Sequence, residues 1–486
     1  MNYHDNSSMS SSSMGSSSMS SSSSSNTCSM SSSSSGGFSS SSSSDDDDYE
    51  MVQAHFFGPA PPPTIVDHRT FRRSPRKIYD HARAFYCIEQ DYLGNNTTIP
   101  LFDGREFEQM FRISRARFQR LRMDIGASGD PFFVQFPVDT NGRVGASLDA
   151  RLLLPIKSLA YGVPPHTFRD YFQMSTTLAR DCCSKYNKII IKIYKKEYLR
   201  LPTPADVKAI FQLHEHIHKI KGMMGSLDGM HTFWKNCPVA WQGDFNGAKG
   251  KPSIVLEAAC DHHLWFWHTS YGYAGTMNDI NIMNISHLQQ GFLNGTFSKI
   301  ESQSGVMPYI ISHEKFMEMF YLVDGIYPRY SRFVKAVRQP ILYEECKFTN
   351  FQEAARKDIE RAFGVFQGMW QCAARPIYIM NQQLISEMIT CVLILHNMCV
   401  SDRVMDGNVY ARYVPTNSFD SPAAASSTIG RPGYDEDDDD SFLPIGIANA
   451  PIDVQRLLSR SERWQELQSL ENYSRLNNAI INKFKE

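Results

Sequence analysis

Apolar residues between Glu106 and Met123 recur near helical spacing (Phe107, Met110, Phe111, Phe118, Leu121), which predicts a helix. Ser147 is placed to cap a second helix running through Leu152, Leu153, Ile156 and Leu159 to Tyr161. Gly162 and Pro164-Pro165 stop it. A short helix, Thr167–Phe172, follows, and Ser175 caps another over Thr176–Leu199. Two helices so closely joined around Met174 predict a helix-turn-helix. The pattern changes after residue 202. Met223–Asp228 is a short apolar run, Ser253–Cys260 and Leu264–Tyr273 read as strands, and Asp261-His262-His263 reads as an exposed turn between them. Asn278-Asp279 opens a helix, and Phe320–Val323 is another short apolar run, closed by Asp324 and Gly325. Phe351–Trp370 and the apolar Leu384–Cys399 are predicted helices, and Ile452–Phe484 holds one or two more. Consecutive strands followed by strands alternating with helices predict an α/β domain with a mixed sheet, preceded by an all-α region.

The flanks differ from this body. Serine fills 27 of the first 50 positions, and Asp45–Asp48 follow. Such a segment is expected to be disordered, because it has too little apolar surface to offset its ordering entropy. Residues 51–100 are Pro-rich and then basic (Arg69, Arg72, Arg73, Arg76, Lys77), as in a linker with an arm for phosphates. The expected organisation is a tail and linker over 1–100, a helical region over 101–200, a catalytic domain over 201–400, an acidic linker over 401–450 and a C-terminal helical segment over 451–486.

Net charge changes the picture only when it is divided. The whole chain carries −2, but residues 1–50 carry six acids and no Lys or Arg, and residues 401–450 carry nine acids against three basic groups. The remainder therefore stands near +10, from −2 less −6 and −6. A basic body with acidic tails suits a polyanion partner. Ten cysteines without a CxxC pair argue against zinc fingers and a disulfide scaffold, and point to a reduced, intracellular chain. No apolar run is expected to span a membrane: the longest, Met388–Val400, includes His396 and Asn397. The polar N-terminus has no apolar signal core.

Four acids stand at the ends or middles of predicted core elements: Asp228, Asp279, Asp324 and Glu360. Buried carboxylates are costly unless positive charge lies between them. A pair of divalent ions, Mg²⁺ or Mn²⁺, would relieve that cost, since both prefer oxygen ligands. Two such ions suit the in-line displacement at a phosphodiester. On the predicted helix Glu353, Arg356, Lys357 and Glu360 share one face, so Arg356 and Lys357 can bridge the acids or meet DNA phosphates. The Thr176–Leu199 helix is basic, through Arg180, Lys185, Lys188, Lys192, Lys195 and Lys196, and is expected to lie on a DNA backbone or to cover the catalytic domain. Lys235, Lys249 and Lys251 flank a Gly-containing loop that can follow phosphates. His231 is expected to pack or hydrogen-bond, and His396 to be a core histidine. Trp234, Trp241, Trp265 and Trp267 are expected to pack in the core or at its edge rather than stack on bases.

With these residues in hand, Gly225–Gly247, Lys251–Ser286, Phe320–Pro328 and Phe351–Trp370 resemble the plant-transposon-protein branch of the PIF/Harbinger transposases, over about residues 105–400. The resemblance implies an RNase H-like mixed-sheet catalytic domain behind a helix-turn-helix region. It implies a divalent-metal-dependent DDE endonuclease that cuts DNA at transposon ends. Carried over by motif, Asp228, Asp324 and Glu360 form the catalytic triad, with Asp279 as a further metal ligand; Asn278-Asp279 stands where many relatives carry His-Asp. It further implies action in the nucleus on double-stranded DNA with a separate Myb-like DNA-binding partner. A homo-oligomer is a further expected partner, and the run lengths predict no membrane association. A domesticated DNA-binding or scaffolding protein that keeps the fold without transposition is the competing reading. A small-substrate phosphoesterase fits the basic body poorly.

Overall fold

The computed structural model describes residues 77–405 and 459–485, apart from positions 96, 141, 248 and 249. The Ser-rich tail, most of the linker, Lys249 and the acidic run Asp435–Asp440 lie outside the described residues.

The last part of the expected linker is helical. Asp80 accepts from the Arg83 N–H and caps α1 (His81–Ile88), which continues as one wide turn to Leu93. Ile88 and Tyr92 insert into the core, which explains why this stretch orders despite its polar neighbours. The helix predicted over Glu106–Met123 is two helices, α2 (Gly104–Phe111) and α3 (Arg115–Gly126). Arg112 takes a left-handed conformation that ends the first, and the Ser114 side chain caps the second. α4 (Leu148–Tyr161) and α5 (Thr176–Tyr198) start at the expected serine caps, Ser147 and Ser175. Short helical turns over Pro165–Phe172 connect them.

α6 (Pro204–His218), capped by Thr203, leads into the sheet. Its strands are β1 (Met223–Phe233), β2 (Ser253–Cys260), β3 (Phe266–Ala274), then, after a small β4 (Tyr309–Ile311) and β5 (Glu314–Phe316) hairpin, β6 (Phe320–Leu322) and β7 (Phe333–Val334). The order across the five-stranded sheet is β3-β2-β1-β6-β7. The first three run antiparallel to one another, while β6 is parallel to β1 and β7 is parallel to β6. The protein is therefore mixed α/β, as its pattern predicts.

β2 is buried along its whole length, so it reads as a continuous apolar run instead of an alternating one. Ile254, Leu256, Ala258 and Cys260 enter one core and Ala259 enters the other. The first core also contains α2 to α5, so the N-terminal helices and the sheet share one interior. The second lies over β1, β6 and β7 and includes α7 (Asp279–Ile285), α8 (His287–Leu293) and α9 (Thr296–Gln303).

α10 (Tyr343–Met369) packs on β1, and α11 (Gln382–Met405) packs between β3 and α5. The sequence reading of α11 needs correction. It is long and apolar enough to cross a membrane by length and composition. Its apolar surface is spread around the helix, and 78% of its most apolar 18-residue window is buried inside the protein, as expected for a central core helix. α12 (Arg460–Leu467) and α13 (Leu470–Lys483) fold back onto the body. Leu476, Ala479 and Ile480 are buried there, and the Ser331 N–H donates to the Leu467 carbonyl at 2.8 Å. No disulfide forms among the described cysteines.

Candidate active site

Asp228 does not end its strand. β1 continues five residues beyond it, paired to β2 from Asp228↔Ala258 to Phe233↔Ser253. The short apolar run hid this, because the second half of β1 alternates buried Met230 and Thr232 with half-buried or exposed Gly229 and His231. The parallel register pairs Ser226 with Leu322. Asp228 and Asp324 each lie two residues beyond that pair, Asp228 still inside β1 and Asp324 just past the end of β6. Asp279 enters from a third element, at the first turn of α7 behind the Asn278 cap. A Cβ built on Gly229 would sit 3.0 Å from Asp279 Oδ1, so the missing side chain is what lets this carboxylate lie against β1.

Glu360 projects from α10, which lies across β1. Its link to the aspartates is Arg356, one turn earlier. One guanidinium nitrogen lies 3.3 Å from Asp228 Oδ2 and the other 2.9 Å from Glu360 Oε1. The remaining oxygen of Asp228 accepts from the Gly229 N–H at 2.8 Å, and Asp324 Oδ1 accepts from the Gly325 N–H at 2.5 Å.

The electrostatics follow from this crowding. Burial pushes the Asp228 carboxyl up to about 6; Asp279 and Asp324 add to the rise, while the Gly229 N–H and Arg356 oppose it. Asp279 is also raised, first by burial and then by Asp324 and Glu257, with His231 opposing. Tyr327 is buried beside all of them: burial, then the charges of Glu257, Asp279, Asp228 and Asp324, push its phenol far up. The three aspartates thus act on one another and on one tyrosine, and Glu360 joins them through Arg356. Lys335 reaches the same edge, donating to the Tyr327 carbonyl at 2.6 Å.

Two polar groups near this site escaped the sequence reading. Glu257 is 1% exposed on β2, opposite Gly229, and contacts His268 at 2.9 Å and the Ser286 hydroxyl. The available signal was a single acid inside an otherwise apolar strand. On the other side of α10, Asp358 gathers His218 and His262. The sequence reading left His262 and His263 exposed in a turn; the turn is there, but the His262 side chain is only 12% exposed and its Nδ1 lies 2.8 Å from Asp358 Oδ2. Burial pushes the Asp358 carboxyl up, but His218, His262 and Arg361 outweigh it and hold it down at about 2.

The remaining candidates are placed as follows. Arg180, Lys185, Lys188 and Lys192 lie on the solvent face of α5, whose opposite face packs on α4 and α11. Lys188 lies 3.8 Å from Glu387, and the Lys185 ammonium sits over the Phe132 ring. Lys235 and Lys357 are exposed. His231 Nδ1 is 3.1 Å from the Ser253 hydroxyl. His396 is fully buried and its Nε2 donates to the Leu264 carbonyl at 2.9 Å. Trp234 is a core residue, while Trp241 is 43% exposed.

The donor set fits hard divalent cations. It is all carboxylate, it comes from rigid elements, and burial and like charge already burden two of its members. Fold and site together define a mixed α/β protein with an acid-lined face over the inner strands β1 and β6 of its sheet. Residues 196–406 match the family model of the plant transposon proteins, consistent with a transposon-derived origin of this part of the chain. Neither a curated protein nor a solved structure matches the chain.

Proposed function

We propose that this protein is a DDE endonuclease of the transposase type, cutting DNA phosphodiesters at element ends. The single observation that carries the reading is the convergence of Asp228, Asp279 and, through Arg356, Glu360 on one face of β1. The Asp228 carboxyl is held up at about 6 at mid-strand, with Asp279 and Asp324 as like-charged neighbours. Such a site is costly for the free protein and is relieved by cations. The strand order β3-β2-β1-β6-β7, with an antiparallel trio and two parallel strands, supports an RNase H-like assignment. The family match supports a transposon origin.

Asp228, Asp279, Asp324 and Glu360 would hold Mg²⁺ or Mn²⁺. Bound there, the ions would supply stabilisation of charge on the attacking and leaving oxygens of the phosphodiester. The chain's own groups do the rest. The Gly229 and Gly325 N–H groups fix the carboxylate of Asp228 and that of Asp324, so that neither must reorganise. Arg356 neutralises Asp228 and Glu360 in the free protein, and its guanidinium is free to turn to a phosphate once cations take its place. Lys357, Lys235 and the basic face of α5 hold the DNA backbone without reading bases. Double-stranded DNA at transposon ends, a second copy of this chain and a Myb-like protein are the partners, and the nucleus is the place of action.

One observation favours the domesticated reading. Arg356 already satisfies Asp228 and Glu360 without any cation. The two readings separate in one assay: Mn²⁺-dependent nicking of a duplex carrying the element's own terminal repeats. Cleavage is expected from the wild type and is expected to vanish in Asp228→Asn, Asp324→Asn and Glu360→Gln. Unchanged cutting by all three variants removes these residues from the mechanism.

A further inference from the structure

The cluster behind α10 is built differently from the carboxylate face. His218 Nε2 lies 3.5 Å from Asp358 Oδ2, and His262 Nδ1 lies 2.8 Å from the same oxygen. All three ligand atoms fall within 4.8 Å of one another. An ion bound about 2.0–2.1 Å from each of three tetrahedrally arranged ligands separates them by about 3.3–3.4 Å. The His218 spacing already matches, and His262 need only draw back by a few tenths of an ångström. Moreover, His218 Nε2 is shielded from solvent, and its contact with Asp358 is too long or too oblique to make a good hydrogen bond.

The surroundings hold these three side chains in place. The His262 backbone N–H donates to His214 Nε2 at 3.2 Å. His214 therefore carries its proton on Nδ1 and donates it to the Met223 carbonyl at 2.9 Å. His214 is one helical turn before His218, so α6 fastens the turn that carries His262. Arg361 Nη1 lies 3.2 Å from Asp358 Oδ1, occupying the oxygen that faces away from the two imidazoles. A carboxylate ligand is commonly oriented in this way by a partner on its second oxygen. The side chains of His218 and His262 are each 12% exposed, which leaves a route for an ion and a water.

We propose that His218, His262 and Asp358 form a site for one borderline divalent transition ion, Zn²⁺ foremost, separate from the carboxylate face. Two imidazole nitrogens and one carboxylate oxygen suit Zn²⁺ or Co²⁺ and exclude Mg²⁺, which requires oxygen ligands. The site ties the end of α6 and the β2–β3 turn to α10. Asp358 and Glu360 are two residues apart on that helix and so point to nearly opposite sides of it. The ion thus clamps the back of the helix that presents Glu360. The site does not depend on the nuclease reading.

The test is metal content. The full chain is stripped with a chelator, loaded with Zn²⁺ in the presence of excess Mg²⁺, dialysed and analysed by mass spectrometry, with Co²⁺ substitution read by visible absorption. One equivalent of Zn²⁺ per chain and a tetrahedral Co²⁺ spectrum are expected, with a higher melting temperature than the stripped protein. His218→Ala and His262→Ala should remove both signals. Arg361→Ala, which spares every ligand, should weaken binding by about 10–100-fold. Asp324→Asn should keep the full equivalent. A folded wild-type chain that retains no Zn²⁺ overturns the proposal, and this arm needs no variant. Retention by both His variants, or loss in Asp324→Asn, overturns it as well, by placing the ion elsewhere.

Discussion

Replacing Asp228 by Asn should make the metal-free protein more stable, and only above a definite pH. The Asp228 carboxyl sits at about 6 in the folded protein, against an ordinary 3.8. A group raised on folding contributes its full stability below the unfolded value and loses it as pH rises through the folded one. At pH 3 the residue is protonated in both states. Between about 4 and 6 the folded chain keeps a proton that the unfolded chain has released, and stability falls. Above 6 the folded protein carries an ionised, three-quarters-buried carboxylate, at a cost of about 3 kcal/mol for a shift of about two units. That cost is already net of the opposing Arg356 charge, so Asn, which like the protonated acid carries no charge, removes it whole. The net expectation is a gain of about 3 kcal/mol at pH 8, shrinking to nearly nothing at pH 4, where Asp228 is protonated. Urea midpoints at pH 4, 6 and 8 for both proteins measure it. Repeating the series with Mn²⁺ should raise the wild-type midpoint at pH 8 and leave the variant nearly unmoved. Equal midpoint differences at pH 4 and pH 8, or a variant that is weaker at pH 8, would refute the reasoning.

The other predictions concern the chemistry and the framework. Cleavage of terminal-repeat DNA should require Mn²⁺ or Mg²⁺ and be abolished by Asp324→Asn and by Glu360→Gln, read on a denaturing gel. Zinc should be held stoichiometrically and lost in His262→Ala, as measured by metal content. Arg332 is 3% exposed, pairs with buried Glu301 and lies 3.0 Å from Glu318. Arg332→Met strands Glu301 and should cost about 3–5 kcal/mol in urea unfolding; a loss under about 1 kcal/mol would sink that account. Gly225 stands at the β1–β6 irregularity with φ +154°, and a Cβ there would meet the Cys260 carbonyl oxygen at 2.1 Å. Gly225→Ala should therefore cost more than about 2 kcal/mol, whereas Gly364→Ala on the exposed side of α10, with nothing within 4 Å, should gain about 0.5–1. Comparable midpoints for the two variants would contradict this.

Local signals in the chain were enough to choose most elements and most acids. Ser147 and Ser175 announce α4 and α5, because a serine oxygen has few better uses than an orphan N–H at a helix start. Apolar runs located β2, β3 and β6; acids ending such runs singled out Asp228 and Asp324, and a polar helix start singled out Asp279. Two element boundaries depended on partners far away. β1 runs past Asp228 because β2 pairs with it, and residues 81–93 order because Ile88 and Tyr92 find a core. Neither partner is visible in a local window.

Chain order alone therefore determined the α/β class, the positions of the carboxylates and a basic helix, since these follow from periodicity, capping and charge within a few residues. Tertiary structure decided which of those charges meet. It brought Asp228 in β1 and Asp324 at the end of β6 onto neighbouring strands, placed Arg356 between Asp228 and Glu360, and set Glu257 near enough to act on Asp279. It also joined two imidazoles to Asp358, a residue that the sequence offered only as one more helical acid. The reason is physical: burial and Coulomb energy depend on distances through space, and residues 130 positions apart acquire those distances only when the sheet forms.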